Sequence, residues 1–315
     1  MTGEPIQRVT VVATGVIGAS WTTAFLARGL DVVATDPAVD AEAALRKAVA
    51  AQWPAMEQMG LAPGASADRL RFEPSLEVAV ATAQFVQENG PERLDLKREL
   101  FRRLDAAAPS DAILASSSST LLITDVQADC SRPERVLLGH PFNPPHLIPL
   151  VEVVGGRATS EAALERAMAF YRAIGKRPIR LRREITGHVA NRLQAALWQE
   201  AFALVEAGIV SVEDVDAAIS HGPGLRWALL GPFLNLHLSG GPGGIGSLFG
   251  KPLWGATEGM WRDLRRVSVD PTLAKRVAAG IEEELAGLDA DEMVRVRDAL
   301  LVSLLKGKAR SSALP

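Results

Sequence analysis

Val9-Thr-Val-Val-Ala13-Thr-Gly15-Val-Ile-Gly18 runs from a β-branched stretch into a glycine turn and then into the helical pattern of Ala19–Arg28. The spacing is close to G-x-G-x-x-G, in which a strand turns sharply into a helix whose first amides and positive dipole end face a pyrophosphate. Gly15 lets the backbone approach the phosphates, Val16 and Ile17 belong to the same cofactor-binding turn, and Gly18 lets helix and strand pack closely. Ala13 stands where the first glycine is expected. Its methyl is compatible with the tight turn only while its backbone angles stay in an ordinary region. A second strand over Asp31–Thr35 ends in Asp36, about 20 residues past the turn, where a carboxylate accepts ribose hydroxyls and repels a 2′-phosphate. Arg46, the next arginine, lies too far along to build a phosphate pocket, so the pattern points to NAD rather than NADP.

Outward from this turn, short β-branched runs alternate with amphipathic stretches, the order that produces right-handed βαβ units and a parallel sheet. Candidate strands are Val9–Ala13, Val32–Thr35, Arg71–Phe72, Phe85–Gln87, Ile113–Ala115, Val136–Leu138 and Leu150–Val154. Helical spacing marks Ala41–Met59, Leu94–Leu104 and Ala162–Ile174. After Arg183 the character changes: Gly187 to Gly208, Val212–Ile219, Leu225–Leu238 and Pro271–Leu305 all read as helices, and no strand pattern returns. Ser239–Lys251, dense in Gly and Pro, reads as a loop, and the tail Lys306–Pro315 is expected to fray. The reading is therefore an α/β Rossmann-type, doubly wound N-terminal domain over 1–185 and an all-α C-terminal domain over 186–315, with the boundary near Thr186.

Composition agrees with this division. The chain has 315 residues, 48% of them apolar and 23% charged, with a net charge of −3, which excludes disorder and implies one large or two ordinary soluble domains. A balanced charge gives no electrostatic footprint for nucleic acid or an anionic membrane. No run approaches the roughly 18 apolar residues of a membrane span, and the first residues carry no apolar signal region, so a cytoplasmic location is expected. The lone Cys130 cannot form an intrachain disulfide or a Cys-rich zinc site. The expected partner is a small molecule.

Two further segments carry chemistry. In Ala112-Ile-Leu-Ala-Ser116-Ser-Ser-Ser119-Thr120 a buried strand runs into five consecutive hydroxyls, which either hold a substrate oxygen or cap turns. Gly139-His140-Pro-Phe-Asn-Pro-Pro follows the next strand, and Glu152 is the single carboxylate inside the apolar run Leu150-Val-Glu-Val-Val154. A Glu in a buried strand must be paired or protonated. His140 is the natural partner, because a carboxylate on one imidazole nitrogen fixes the tautomer and leaves the other as a proton acceptor. His146, His188, His221 and His237 have no such companion in the sequence and read as loop or helix-face residues.

Ser119, His140-Pro-Phe-Asn-Pro, Leu150-Val-Glu-Val-Val and Gly187-His-Val-Ala-Asn191-Arg-Leu, taken in order over essentially the whole chain, resemble the 3-hydroxyacyl-CoA dehydrogenase family. The resemblance implies an NAD-binding Rossmann domain and a helical domain that forms a homodimer and closes the substrate cleft. It implies His140 as general base with Glu152 behind it, Ser119 and Asn191 as hydrogen-bond partners of the reacting oxygen, and Glu92 and Lys97 as the cofactor-side acid and lysine. Thr186 replaces the family's usual Pro, and serines replace Asn and Thr before Ser119. Ala196-Leu-Trp198-Gln-Glu-Ala and His221-Gly-Pro-Gly-Leu-Arg226-Trp227 are most similar to the branch that oxidises free hydroxy acids, that of L-carnitine dehydrogenase and lambda-crystallin, the L-gulonate 3-dehydrogenase. In such an enzyme Arg226 would bind a free carboxylate bidentately, and Trp198 and Trp227 would wall the pocket or face a quaternary ammonium. The expected activity is thus NAD-dependent oxidation of a small free 3-hydroxy acid. The alternatives are oxidation of a 3-hydroxyacyl-CoA and, in another class, a catalytically silent NAD-binding crystallin-like protein.

Overall fold

The computed structural model describes residues 5–249 and 252–313. The first four residues, Gly250 and Lys251 at the end of the expected Ser239–Lys251 loop, and Leu314 and Pro315 of the tail lie outside it. The chain divides into two compact units, Met1–Asn191 and Arg192–Pro315.

The first unit alternates β1 (Arg8–Val12), α1 (Val16–Leu26), β2 (Asp31–Thr35), α2 (Ala41–Met59), β3 (Leu70–Phe72), α3 (Leu76–Val80), β4 (Phe85–Glu88), α4 (Leu94–Ala107), β5 (Ile113–Ser116) and α5 (Ile123–Val126). It ends with β6 (Val136–Pro141), β7 (Leu150–Gly155), α6 (Glu161–Ala173) and β8 (Arg177–Arg180). The strands form a single sheet in the order β3-β2-β1-β4-β5-β6-β7-β8, parallel except where β6 meets β7. Strand order reverses direction between β1 and β4, so their carboxyl ends flank the crevice where a doubly wound sheet takes its ligand.

Period-two alternation distributes each strand's side chains between two cores. On one side Val9, Val11, Phe85, Ile113, Ala115 and Val153 pack beneath Trp21 and Phe25 of α1 and Phe170 and Tyr171 of α6. Its rings are in close contact, with Phe85 and Phe170 centroids 4.4 Å apart. On the other side Val86, Leu114, Val136 and Leu138 pack against Phe101 and Leu104 of α4 and Val126 of α5. Burial on both faces explains why these strands are nearly continuous apolar runs.

Strand β8 was not expected. It pairs with β7 at the edge of the sheet, and its Arg177-Pro-Ile-Arg180 sequence has a Pro and two charges, which only an edge accepts. α7 (Ala190–Glu206) begins three residues later than the periodicity implies, because Gly187 and His188 both have positive φ, 76° and 51°. α8 (Val212–Ser220) follows, and the expected Leu225–Leu238 helix is two, α9 (Pro223–Trp227) and α10 (Pro232–Ser239), since Pro232 cannot donate the bond a continuous helix needs. Two short 3-10 turns, Gly241–Gly243 and Ile245–Ser247, occupy the Gly-rich loop ahead of α11 (Pro252–Asp263). Pro271–Leu305 is likewise divided into α12 (Pro271–Glu284) and α13 (Ala290–Arg310), with Gly287 at φ 82° and Asp289 capping α13 through the Glu292 amide. The tail is helical as far as Arg310 rather than frayed. Among the described residues no helix is long and apolar enough to cross a membrane.

Candidate active site

His140 and Glu152 are directly opposed in the antiparallel β6–β7 register, and opposed residues present their side chains on the same face. The carboxylate Oε2 lies 2.9 Å from His140 Nδ1, and both side chains are buried. A carboxylate only accepts, so Nδ1 carries the proton and Nε2 is left with a lone pair. Ser119 Oγ is 3.2 Å from that Nε2. The other carboxylate oxygen, Oε1, accepts hydrogen bonds from the Val189 and Ala190 amides at 2.8 and 3.0 Å. Burial opposes ionisation of Glu152, but the hydrogen bonds from His140 and from these two amides outweigh it and hold the carboxyl below its ordinary range. The array is a proton acceptor with a fixed tautomer, a counter-charge behind it and a hydroxyl in front of it.

The serine run separates into four different contacts. Ser116 Oγ donates to Glu88 Oε2 at 2.7 Å, Ser117 Oγ to Asn89 Oδ1 at 2.7 Å, and Ser118 Oγ to Glu92 Oε1 at 2.7 Å, leaving Ser119 as the hydroxyl that meets His140. Glu92 Oε1 also accepts from the Thr120 amide and hydroxyl at 2.7 and 2.8 Å. Burial raises the Glu92 carboxyl, but the bonds from Ser118 and Thr120 prevail and hold it below its ordinary range. Lys97 is fully buried, with its ammonium on Glu88 at 2.7 and 2.9 Å and on the Gly90 carbonyl at 3.1 Å. Its three protons are taken, so it is a brace of the Gly90 turn rather than a free cation. Asn191 is the second residue of α7, half-buried, immediately after the amides that bind Glu152.

At the other crevice strand, Ala13 takes φ 64°, the left-handed conformation that the sequence reading required it to avoid. Its amide still bonds the Thr35 carbonyl at 2.9 Å, so the tight turn forms at the cost of local strain. A Cβ on Gly18 would lie 2.0 Å from the Ala13 carbonyl oxygen, whereas one on Gly15 would meet nothing within 4 Å. Gly18 is therefore required by packing, and Gly15 faces open space before the α1 amides at Val16 and Ile17. Asp36 Oδ2 accepts from the Thr14 amide at 2.7 Å and its hydroxyl at 3.2 Å, which ties the end of β2 to the glycine turn. A pyrophosphate at the α1 amides and a ribose at Asp36 fit this turn.

A family model for the 3-hydroxyacyl-CoA dehydrogenase NAD-binding domain matches residues 8–185, and one for the same family's C-terminal domain matches residues 187–262. The chain belongs to the 3-hydroxyacyl-CoA dehydrogenase family. Like the family, it is an NAD-dependent oxidoreductase, with NAD as cofactor. L-carnitine dehydrogenase from Streptomyces griseus subsp. griseus is 49% identical over 310 residues, 98% of this chain and 91% of that protein. L-carnitine dehydrogenase from Streptomyces coelicolor is 47% identical over 310 residues, 98% of this chain and 96% of that protein. Among solved structures, 5-formyl-3-hydroxy-2-methylpyridine 4-carboxylic acid 5-dehydrogenase, an NAD+-dependent dismutase, superposes with a TM-score of 0.83 at 28% identity, over 98% of this chain and all of that one.

In this member of the 3-hydroxyacyl-CoA dehydrogenase family, Trp198 on α7 and Arg226 and Trp227 on α9 lie in the second unit, and all three are exposed. Among the described residues the Arg226 guanidinium has no ion-pair partner. Two contributors escaped the sequence reading. Glu88 is a buried carboxylate at the end of β4, which the expected strand, closing at Gln87, left just outside. His188, in the turn before α7, is a loop residue but a buried one, with its ring centroid 5.0 Å from that of His140. His146, also read as a loop residue, is buried and bonded to Ser20 at 2.8 Å.

Proposed function

We propose that this protein oxidises the 3-hydroxyl of a small free 3-hydroxy acid of the carnitine type to the 3-keto acid, with His140 as general base. The observation that carries the reading is His140 held between Glu152 at 2.9 Å and Ser119 at 3.2 Å. His140 Nε2 takes the hydroxyl proton, and the Glu152 carboxylate stabilises the imidazolium that forms. Ser119 and Asn191 hydrogen-bond the reacting oxygen and orient it toward the base. Bound NAD, held at Ala13–Gly18 and Asp36, supplies the hydride acceptor.

Three observations support the free acid over a thioester. Arg226, exposed and without an ion-pair partner among the described residues, is suited to bind a carboxylate bidentately. Trp198 and Trp227 are exposed rather than core residues, as a pocket wall requires. The relatives at 49% and 47% identity are named for L-carnitine, and the solved dehydrogenase is named for a small carboxylic acid. A panel of L-carnitine, L-gulonate, 3-hydroxybutyrate and 3-hydroxybutyryl-CoA with NAD, followed by NADH absorbance, tests this. Turnover of a free acid is expected. Turnover of the thioester alone would contradict the proposal, and no turnover of any would favour the silent crystallin-like protein.

We further propose a homodimer through the helical unit. Among the described residues of that unit, the buried apolar side chains are Ala203, Val205, Leu248, Leu273 and Val302, while Phe233 is 77% exposed and Leu300 65%. Leu288, just before α13, and Met293, Val296 and Leu300 along it line an open groove. Apolar surface on this scale is covered in solution, and sedimentation at twice the chain mass is expected. A cytoplasmic location fits the free thiol of Cys130.

A further inference from the structure

His188 reaches both sides of the His140 surroundings. Its Nε2 lies 3.0 Å from the Ser118 carbonyl oxygen, and a carbonyl only accepts, so Nε2 carries the proton. Its Nδ1 is buried and has no hydrogen-bond partner among the described residues. Ser118 is thereby fixed twice, through its carbonyl by His188 and through its hydroxyl by Glu92 at 2.7 Å. The next residue is Ser119, whose Oγ faces His140 Nε2. On the other side, the two residues after His188 supply the amides that bind Glu152 Oε1. Both ends of the arrangement depend on the left-handed turn at Gly187 and His188, φ 76° and 51°. Positive φ is uncommon outside glycine, although histidine takes it more readily than most, and residues held in sparsely populated backbone regions cluster at functional sites.

We propose that His188 is a positioning residue for the reaction: its Nε2–H holds the Ser118 carbonyl and so sets the Ser119 hydroxyl against His140. This rests on the reading of His140 as the base. The groups around the His188 ring are His140, Glu152 and Glu92. Burial pushes its imidazole below the ordinary value, and the positive charge His140 acquires acts in the same direction, against the Ser118 carbonyl and the two carboxylates. A neutral His188 leaves the charge formed at His140 without a cationic neighbour at 5.0 Å.

The test is a double-mutant cycle with an NMR measurement. His188→Phe keeps a ring but loses the donor, and it is expected to lower kcat about tenfold with the KM for NAD within about twofold of wild type, the scale of one lost hydrogen bond. His188→Gln, which keeps an N–H donor, is expected to recover most of the loss. In a Ser119→Ala background His188→Phe is expected to cost nothing more, because its effect passes through Ser119. In 15N-histidine-labelled enzyme, the imidazole signals missing from His188→Gln are expected to show the neutral Nε2–H tautomer and to stay neutral to lower pH than a free imidazole does. Wild-type kcat in His188→Phe, additivity with Ser119→Ala, or an imidazole that titrates near 6.5 would overturn the proposal. Should His188→Phe fail to fold, the tautomer of the wild-type ring decides. A His140→Gln enzyme that stays active overturns the general-base reading and this assignment with it, whereas an inactive His140→Gln beside a fully active His188→Phe overturns this assignment alone.

Discussion

Glu152 divides its two carboxylate oxygens between two tasks: Oε2 meets His140 Nδ1 at 2.9 Å, and Oε1 accepts the Val189 and Ala190 amides at 2.8 and 3.0 Å. One buried charge thus orients the imidazole and receives the backbone that leads into α7. Glu152→Gln is expected to lower kcat by about 100-fold or more, the scale of lost general-base assistance, with little change in the KM for NAD. It should also alter acid stability. The folded carboxyl is held below its ordinary 4.5, so its contribution is complete above that pH and is lost as pH falls through the folded value. Urea midpoints measured down the acid range should converge for wild type and variant.

Ala13 at φ 64° stores strain that a glycine would release. Ala13→Gly is expected to stabilise the enzyme by about 1 kcal/mol, the cost of a left-handed L-residue, seen as a raised Tm. Gly18→Ala, which would place a Cβ 2.0 Å from the Ala13 carbonyl oxygen, should instead abolish NADH binding measured by fluorescence. An unchanged Tm in the first or unchanged affinity in the second would show that the turn differs from the one described.

The glycine turn, Asp36, the strand alternation and the His140–Glu152 pair were legible because each rests on local spacing or on one polar residue in an apolar run. What was not legible depends on conformation. The positive φ of Ala13 is imposed by the strand-to-helix turn, and no property of alanine announces it. Gly187 and His188 continue an apolar periodicity that reads as helix, yet their paired left-handed angles delay α7 and turn His188 inward. β8 escaped because an edge strand tolerates Pro178 and flanking arginines, which remove the usual signal. Lys97 was matched as a cofactor-side lysine, and only the fold shows that Glu88 and Gly90 occupy its three protons.

Lys176 gives a prediction in the alkaline range. Its ammonium donates to the Pro145 and Ile148 carbonyls and sits 5.3 Å from the Trp21 ring centroid. Burial, with the charge of Arg28 adding to it, pushes the group from 10.5 down to about 7. Between those values the unfolded chain binds the extra proton. The lysine's contribution to stability is therefore greatest above 10.5 and is lost as pH falls to about 7. Relative to Lys176→Met, wild-type urea midpoints should rise between these limits; parallel profiles would contradict the buried placement.

Arg226→Ala separates the substrate classes. With a free 3-hydroxy acid its loss is expected to raise the substrate KM about tenfold or more, the scale of a charge-assisted hydrogen bond, while the KM for NAD holds. Steady-state rates on the acid and on 3-hydroxybutyryl-CoA provide the comparison. An acid KM that does not move would remove the guanidinium from the proposed pocket.

In the proposed reaction His140 takes the proton of a free 3-hydroxy acid. Its most direct test is the NADH production rate of His140→Gln beside wild type on L-carnitine and the other free acids, at saturating NAD with cofactor affinity checked separately. NADH affinity is expected to stay near wild type and kcat to fall by about 100- to 10,000-fold, the range that general-base catalysis supplies. A His140→Gln enzyme that turns over the same acid at the wild-type rate would contradict that role of His140.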